Sequence, residues 1–119
     1  MSLTYLLSWP PSLNHLYPTA RNGRRFLSLA GKQFKQAVWA AVQAQGRPAK
    51  PLAGRLSLLI EAFPPDRRVR DIGNLEKIIS DSLTAAGVWV DDGQIDDLHI
   101  IRRKVTLDGA VRVTIGRCP

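Results

Sequence analysis

An α+β fold is predicted, with two helices packed on one face of a mixed β-sheet in a single small domain. Three observations predict it. Strand-like and helix-like segments follow one another in the order β, α, β, α, β, β. The 119 residues suit one domain, 1–119, whose core closes without staples. Hydrophobic residues make up 45% and charged residues 23%, the usage of a globular chain rather than a disordered one.

The elements follow in order. Residues 3–9 read as a short strand stopped by Pro10-Pro11. A loop rich in turn formers runs through Arg25 and carries Arg21, Arg24 and Arg25. Ser28 is the N-cap of a helix to about Ala44, with Phe34, Ala37, Val38, Ala41 and Val42 as its apolar stripe. Gly46 and Pro48 stop it. Leu56–Phe63 is the clearest strand, ended by Pro64-Pro65. Asp71 or Gly73 opens a second helix, which ends near Ala86 with Gly87 at C′. Leu75, Ile78, Ile79, Leu83 and Ala86 form its buried face, and Asn74, Lys77 and Asp81 line up beside that face. Asp91-Asp92-Gly93 is a turn signal. Leu98–Val105 and Ala110–Ile115 read as strands, with Leu107-Asp108-Gly109 between them as a hairpin signal. Trp9, Trp39 and Trp89 sit in apolar contexts and are expected in the core.

Charge narrows the function. Seventeen basic and ten acidic residues give +7, an electrostatic footprint for nucleic acid. The charge is unevenly spread. Residues 71–97 hold seven acids and only Lys77 as a base, while the rest holds sixteen bases and three acids. Simple phosphate binding gains nothing from an acidic centre, whereas a metal-dependent enzyme acting on phosphate needs both parts. Cys118 is the single cysteine, which excludes a disulfide framework and a cysteine zinc site. No basic leader precedes Arg21 and no apolar run reaches membrane-spanning length. A cytoplasmic protein with no membrane partner and no small-molecule cofactor is expected.

The chemistry concentrates in Arg70-Asp71-Ile72-Gly73-Asn74 and in Val90-Asp91-Asp92-Gly93. Mg²⁺ takes oxygen ligands, commonly one or two carboxylates with waters and phosphates. Asp71 and Asp92 could supply them if the chain returns beside the start of the second helix. The plainer reading makes Asp71 a helix cap and Asp91-Asp92-Gly93 a solvated turn. Arg67, Arg68 and Arg70 are either solvated loop residues or phosphate forks beside a metal. Arg21, Arg24 and Arg25 are a second candidate for backbone contact. His15 and His99 are isolated, and neither is taken as a catalytic residue.

At these residues the chain resembles the RusA family of Holliday-junction resolvases, small endonucleases of phage and prophage origin. The resemblance runs from Trp9-Pro10-Pro11-Ser12 through Pro65-Asp66-Arg67-Arg68, Arg70-Asp71, Asn74-Leu75, Lys77, Asp81, Leu83 and Gly87 to Trp89-Val90-Asp91-Asp92-Gly93-Gln94-Ile95. It implies a homodimer that binds four-way junction DNA and cuts opposed strands with Mg²⁺ or Mn²⁺. It implies that Asp71 and Asp92 hold the metal and that Lys77 is the essential lysine. Asn74 and Asp91 are expected to support the site. One position departs. The family has Asp-x-Asp-Asn where this chain has Asp71-Ile72-Gly73-Asn74. The second carboxylate is missing, which leaves three readings open: a weakened enzyme, a decayed gene product that still binds junctions, or a deliberately inactivated variant. A rival outside the family is an RNA-binding protein, but no aromatic RNA-binding strand motif is visible.

Overall fold

Leu56, Leu58, Ile60 and Ala62 alternate along β2 (Leu56–Phe63), and all four are buried. A pleated strand sends such a set to one face, and that face carries the core. The computed structural model describes residues 2–12, 21–23 and 26–118. β4 (Ala110–Arg117) flanks β2 antiparallel, and β3 (Ile95–Arg102) flanks it parallel. β1 (Ser2–Ser8) pairs antiparallel with β4, so the strand order is β1-β4-β2-β3. Tyr5 and Leu7 of β1 and Val111, Val113 and Ile115 of β4 complete the buried face.

Two helices cover it. α1 (Leu29–Gln45) starts where Ser28 Oγ accepts the Gly31 N–H at 3.1 Å, satisfying an otherwise unpaired helix donor. Phe34, Val38 and Val42 point into the core. α2 (Glu76–Ala85) buries Ile78, Ile79 and Leu83. It is the crossover that parallel neighbours require. The chain leaves the carboxyl end of β2, descends through α2, and re-enters the sheet at the amino end of β3.

Four expectations change. The last two strands do not form a hairpin. Asp108 and Gly109 do turn, with φ of 64° and 70°, but β3 and β4 lie on opposite sides of β2. The turn residues fix a reversal, whereas burial chooses the partner. β4, with three buried aliphatics, takes an inner place, and β3, with exposed Asp96 and Asp97, takes an edge. Next, β3 spans Ile95–Arg102 rather than Leu98–Val105, because pairing with β2 overrides the low strand preference of those acids. The second helix opens as a 3-10 turn, Ile72–Leu75, ahead of α2. Finally, Trp39 is 53% exposed and Ala37 is exposed, so the α1 stripe is narrower than expected. Trp89 is buried and its Nε1 donates to Thr84 Oγ1 at 2.6 Å. Among the described residues no helix is long and apolar enough to cross a membrane.

Candidate active site

The loop leaving the carboxyl end of β2 is shaped by Asp66. Its Oδ1 accepts the Arg68 backbone N–H at 3.0 Å and lies 2.7 Å from Arg70 Nη1. Its carbonyl accepts from the same Nη1 at 3.1 Å. The hydrogen bond from Arg70, then that from the Arg68 backbone, holds the Asp66 carboxyl below its ordinary range. The Arg70 guanidinium also lies 5.7 Å from the Trp9 ring centroid, within cation–π range. Arg102 Nη2 donates to the Arg70 carbonyl at 2.7 Å. Arg70 is thus held from several sides, while Arg67 and Arg68 are exposed beside it.

This loop forms one wall of a cavity of about 500 Å³, lined by Arg68, Val69, Arg70, Asp71, Ile72, Asn74 and Leu75. Trp9, Pro10, Pro11 and Ser12 form the other wall. Asp71 is exposed, and its Oδ1 accepts the Gly73 N–H at 2.9 Å, capping the 3-10 turn. Lys77 is exposed on the first turn of α2, with Nζ 3.8 Å from Asp81 Oδ2.

The second acidic turn is built as firmly. Asp91 Oδ2 accepts the Gly93 N–H at 2.9 Å. Gln94 Oε1 accepts the backbone N–H groups of Val90 and Asp91, both at 2.9 Å. Gln94 Nε2 donates to the carbonyls of Leu52 and Gly54 at 2.9 and 2.8 Å. Arg55 pairs with Asp96 and donates to the Gly93 carbonyl. Its hydrogen bond keeps the Asp96 carboxyl below the usual carboxylate range. Asp92 is therefore an exposed carboxylate on a fixed turn.

The expected residues fall into two groups. Arg68, Arg70, Asp71 and Asn74 share one cavity, with Arg67 next in the chain. Asp91 and Asp92 sit at the other end of β3. Arg70 is tied to Arg102 at the carboxyl end of β3, and Asp92 precedes Ile95 at its amino end. An eight-residue strand spans about 23 Å. The descending element is α2, and the ascending strand comes after Asp92, so one chain does not bring Asp71 and Asp92 together. Arg21 is exposed, and Arg24, Arg25 and His15 lie outside the described residues. His99 Nε2 lies 2.9 Å from Asp97 Oδ1 on the exposed edge strand.

A divalent cation does not fit the donors of a single chain. Among the described residues, no three His, Cys, Asp or Glu side chains group closely enough to hold an ion. Each candidate carboxylate stands at its own end of β3, and Gly73 offers no oxygen from its side chain.

Residues 8–116 match a family of endodeoxyribonucleases. The chain belongs to that family, Endodeoxyribonuclease RusA. It is 38% identical over 109 residues to a crossover junction endodeoxyribonuclease RusA of Escherichia coli, covering 92% of this chain and 89% of that one. The same identity and coverage relate it to proteins of that name from Enterobacteria phage 82 and Shigella sonnei.

Sequence reasoning named Asp66 and Gln94 only as part of the resemblance and missed their bonding, and it missed Arg55 and the stacking of Trp9 on Arg70 altogether. Gln94 left a signal, because Asp91-x-x-Gln94 has capping-box spacing. Arg55 left none, since its partner Asp96 is 41 residues away in the chain.

Proposed function

We propose that this protein is a structure-selective endodeoxyribonuclease that resolves four-way (Holliday) DNA junctions by hydrolysing phosphodiesters, in recombination and repair. One observation carries the reading. A basic loop holds Arg70 by several contacts in the lining of a cavity that the exposed Asp71 also lines, in a chain alike over most of its length to crossover junction endodeoxyribonucleases. A fixed guanidinium reads a phosphate with two donors. Arg67 and Arg68 would extend that contact along the backbone, and Arg21, Arg24 and Arg25, close together in the sequence, are proposed as further phosphate contacts.

Asp71 and Asp92 are the proposed ligands of a divalent cation, Mg²⁺ or Mn²⁺, and since one chain holds them apart they would meet at one ion only where two copies associate; such an ion would supply water activation and charge neutralisation at the phosphate. Lys77, exposed on the first turn of α2, is the proposed group that would stabilise charge building on the phosphate. Asn74 supports the turn that carries Asp71, and Asp91 the turn that carries Asp92. The working form is a homodimer, since a junction presents two equivalent strands, and the site of action is cytoplasmic DNA.

A second reading is favoured by Gly73: the same fold binding junctions without cutting them. Competition binding tests what both readings share. A labelled four-way junction is expected to outcompete a linear duplex and a structured RNA, with affinity falling steeply in salt. Preference for the RNA, or equal affinity for junction and duplex, would overturn both.

A further inference from the structure

The face of the sheet turned away from the helices carries an arginine cluster that the candidate site does not use. Leu56, Leu58, Ile60 and Ala62 point into the core, so Leu59, Glu61 and Phe63 point the other way. Leu6, His99 and Arg112 on that face are exposed. Glu61 is nevertheless only 7% exposed. It stands opposite Arg112 on β4. Arg112 Nε and Nη2 donate to its Oε1 and Oε2, both at 2.9 Å. Arg103, just past β3, donates from Nε to Oε2 at 3.0 Å. The Arg112 guanidinium also lies 5.5 Å from the Phe63 ring centroid. A buried carboxylate needs a partner, and one arginine would balance it. The second leaves the cluster with a net positive charge. Both arginine side chains stay open to solvent, 43% exposed at Arg103 and 46% at Arg112. Among the described residues, Nη1 of Arg112 and both Nη atoms of Arg103 have no further partner.

We propose that Arg103 and Arg112, clamped by Glu61, form a phosphate-backbone contact for DNA on the open face of the sheet, separate from the Asp71 loop. This rests on the DNA substrate of the reading above and not on cleavage. Guanidinium forks match phosphate oxygens with paired donors. A guanidinium already held in place gives up less side-chain freedom when it binds. The position suits a branched substrate. Arg102 and Arg103 are neighbours and so turn to opposite faces. Arg102 Nη2 reaches the Arg70 carbonyl at 2.7 Å, while Arg103 reaches Glu61. The clamp therefore stands behind the Asp71 cavity, at the same end of the sheet. Exposed Lys104 follows it in the chain. Asp97, the acid that β3 presents on this face, is six residues before Arg103, about 20 Å along the strand. Strands leave a branch point in several directions, and phosphate contacts on both faces of one sheet end can hold two of them.

A short linear duplex is the probe, since it requires neither a junction nor cutting. Glu61→Gln, Arg103→Gln and Arg112→Gln together remove the clamp without stranding a buried charge. Lys50→Gln, at an exposed position in the loop before β2, changes the net charge by the same amount. In titrations at several salt concentrations the triple variant is expected to lose about 0.9 from the slope of log K against log salt. Lys50→Gln is expected to keep the parent slope. Equal slopes in all three chains, or equal loss in both variants, overturns the proposal. A second measurement uses the unaltered chain. The Hε protons of Arg103 and Arg112, held on Glu61, are followed by NMR as duplex is added. Both signals are expected to shift and to return in high salt. Signals that stay in place while the duplex binds overturn the contact. So does polyglutamate that shifts them at lower concentration than DNA, because the face would then serve an acidic protein. If the duplex shifts both signals but a junction binds no better than the duplex, the nuclease reading fails while this contact stands. If the junction is preferred and neither measurement moves, the contact is wrong while the nuclease reading stands.

Discussion

Gly73→Asp perturbs the candidate site at one atom group, and its effect can be worked from the structure. A Cβ at position 73 would lie 3.2 Å from Asp71 Oδ1 and 4.0 Å from its Cγ. Gly73 is not among the glycines with positive φ, so its backbone accepts an L side chain. The new carboxylate would sit about 5 Å from the old one. Two like charges at that distance repel by about 1 kcal/mol in bulk water and about 3 kcal/mol at an effective dielectric near 20. Asp71 is exposed, so the lower figure applies. Without metal the variant should melt about 4 °C below this chain. A divalent cation bound only by the folded pair reverses that loss, adding about 2.7 kcal/mol at a hundredfold excess over Kd. The assay is thermal unfolding of this chain, Gly73→Asp and the uncharged Gly73→Asn, with and without Mn²⁺ at fixed ionic strength. Equal melting of the two variants without metal, and equal response to Mn²⁺, would show that the two carboxylates neither repel one another nor share a cation.

Other outcomes follow from named side chains. Glu61 lies between Arg112 and Arg103, with bonds of 2.9 to 3.0 Å, and those bonds, that from Arg112 first, lower its carboxyl from 4.5 to about 2. Its contribution to stability is therefore complete above pH 4.5 and is lost as the pH falls towards 2; Glu61→Gln should flatten that part of the urea-stability profile, and an unchanged slope would rule Glu61 out. Gly109→Ala should cost about 1–3 kcal/mol, since its φ is 70° and its Cβ would come within 2.9 Å of Trp9 and Pro65; denaturant midpoints check it. Ser82 Oγ is buried without a hydrogen-bond partner among the described residues, so Ser82→Ala should stabilise by about 1 kcal/mol by the same measurement. Arg67→Glu with Arg68→Glu should weaken junction binding and reduce the salt slope by about 0.9 for each phosphate no longer neutralised; an unchanged slope in titrations at several salt concentrations would remove both from the interface.

What the sequence makes legible is local. Ser28, the stripe of Phe34, Val38 and Val42, the limits of β2 and the reversal at Asp108-Gly109 are written in neighbouring residues, and each holds in the fold. What it conceals is partnership. Gly109 announces a turn but not that β4 will pass to the far side of β2. Asp96 and Asp97 argue against a strand until β2 supplies the pairing. The candidate site shows the same division. Both acidic turns are visible as Asp71-x-Gly73 and Asp91-Asp92-Gly93, whereas their separation along β3 depends on which strand follows which helix. Asp66 can be seen in the loop sequence, but its grip on Arg70 depends on where that loop folds.

The Asp71 loop is proposed to belong to a junction-cutting site. The most direct measurement is Mn²⁺-dependent cleavage of a labelled four-way junction by this chain, by Gly73→Asp, and by Gly73→Asp with Asp71→Asn. Cutting is expected to be strongest with Gly73→Asp and abolished when Asp71 is also replaced. Binding by all three chains with no cutting by any would contradict the claim, and would leave Asp71 as a cap on the turn before α2.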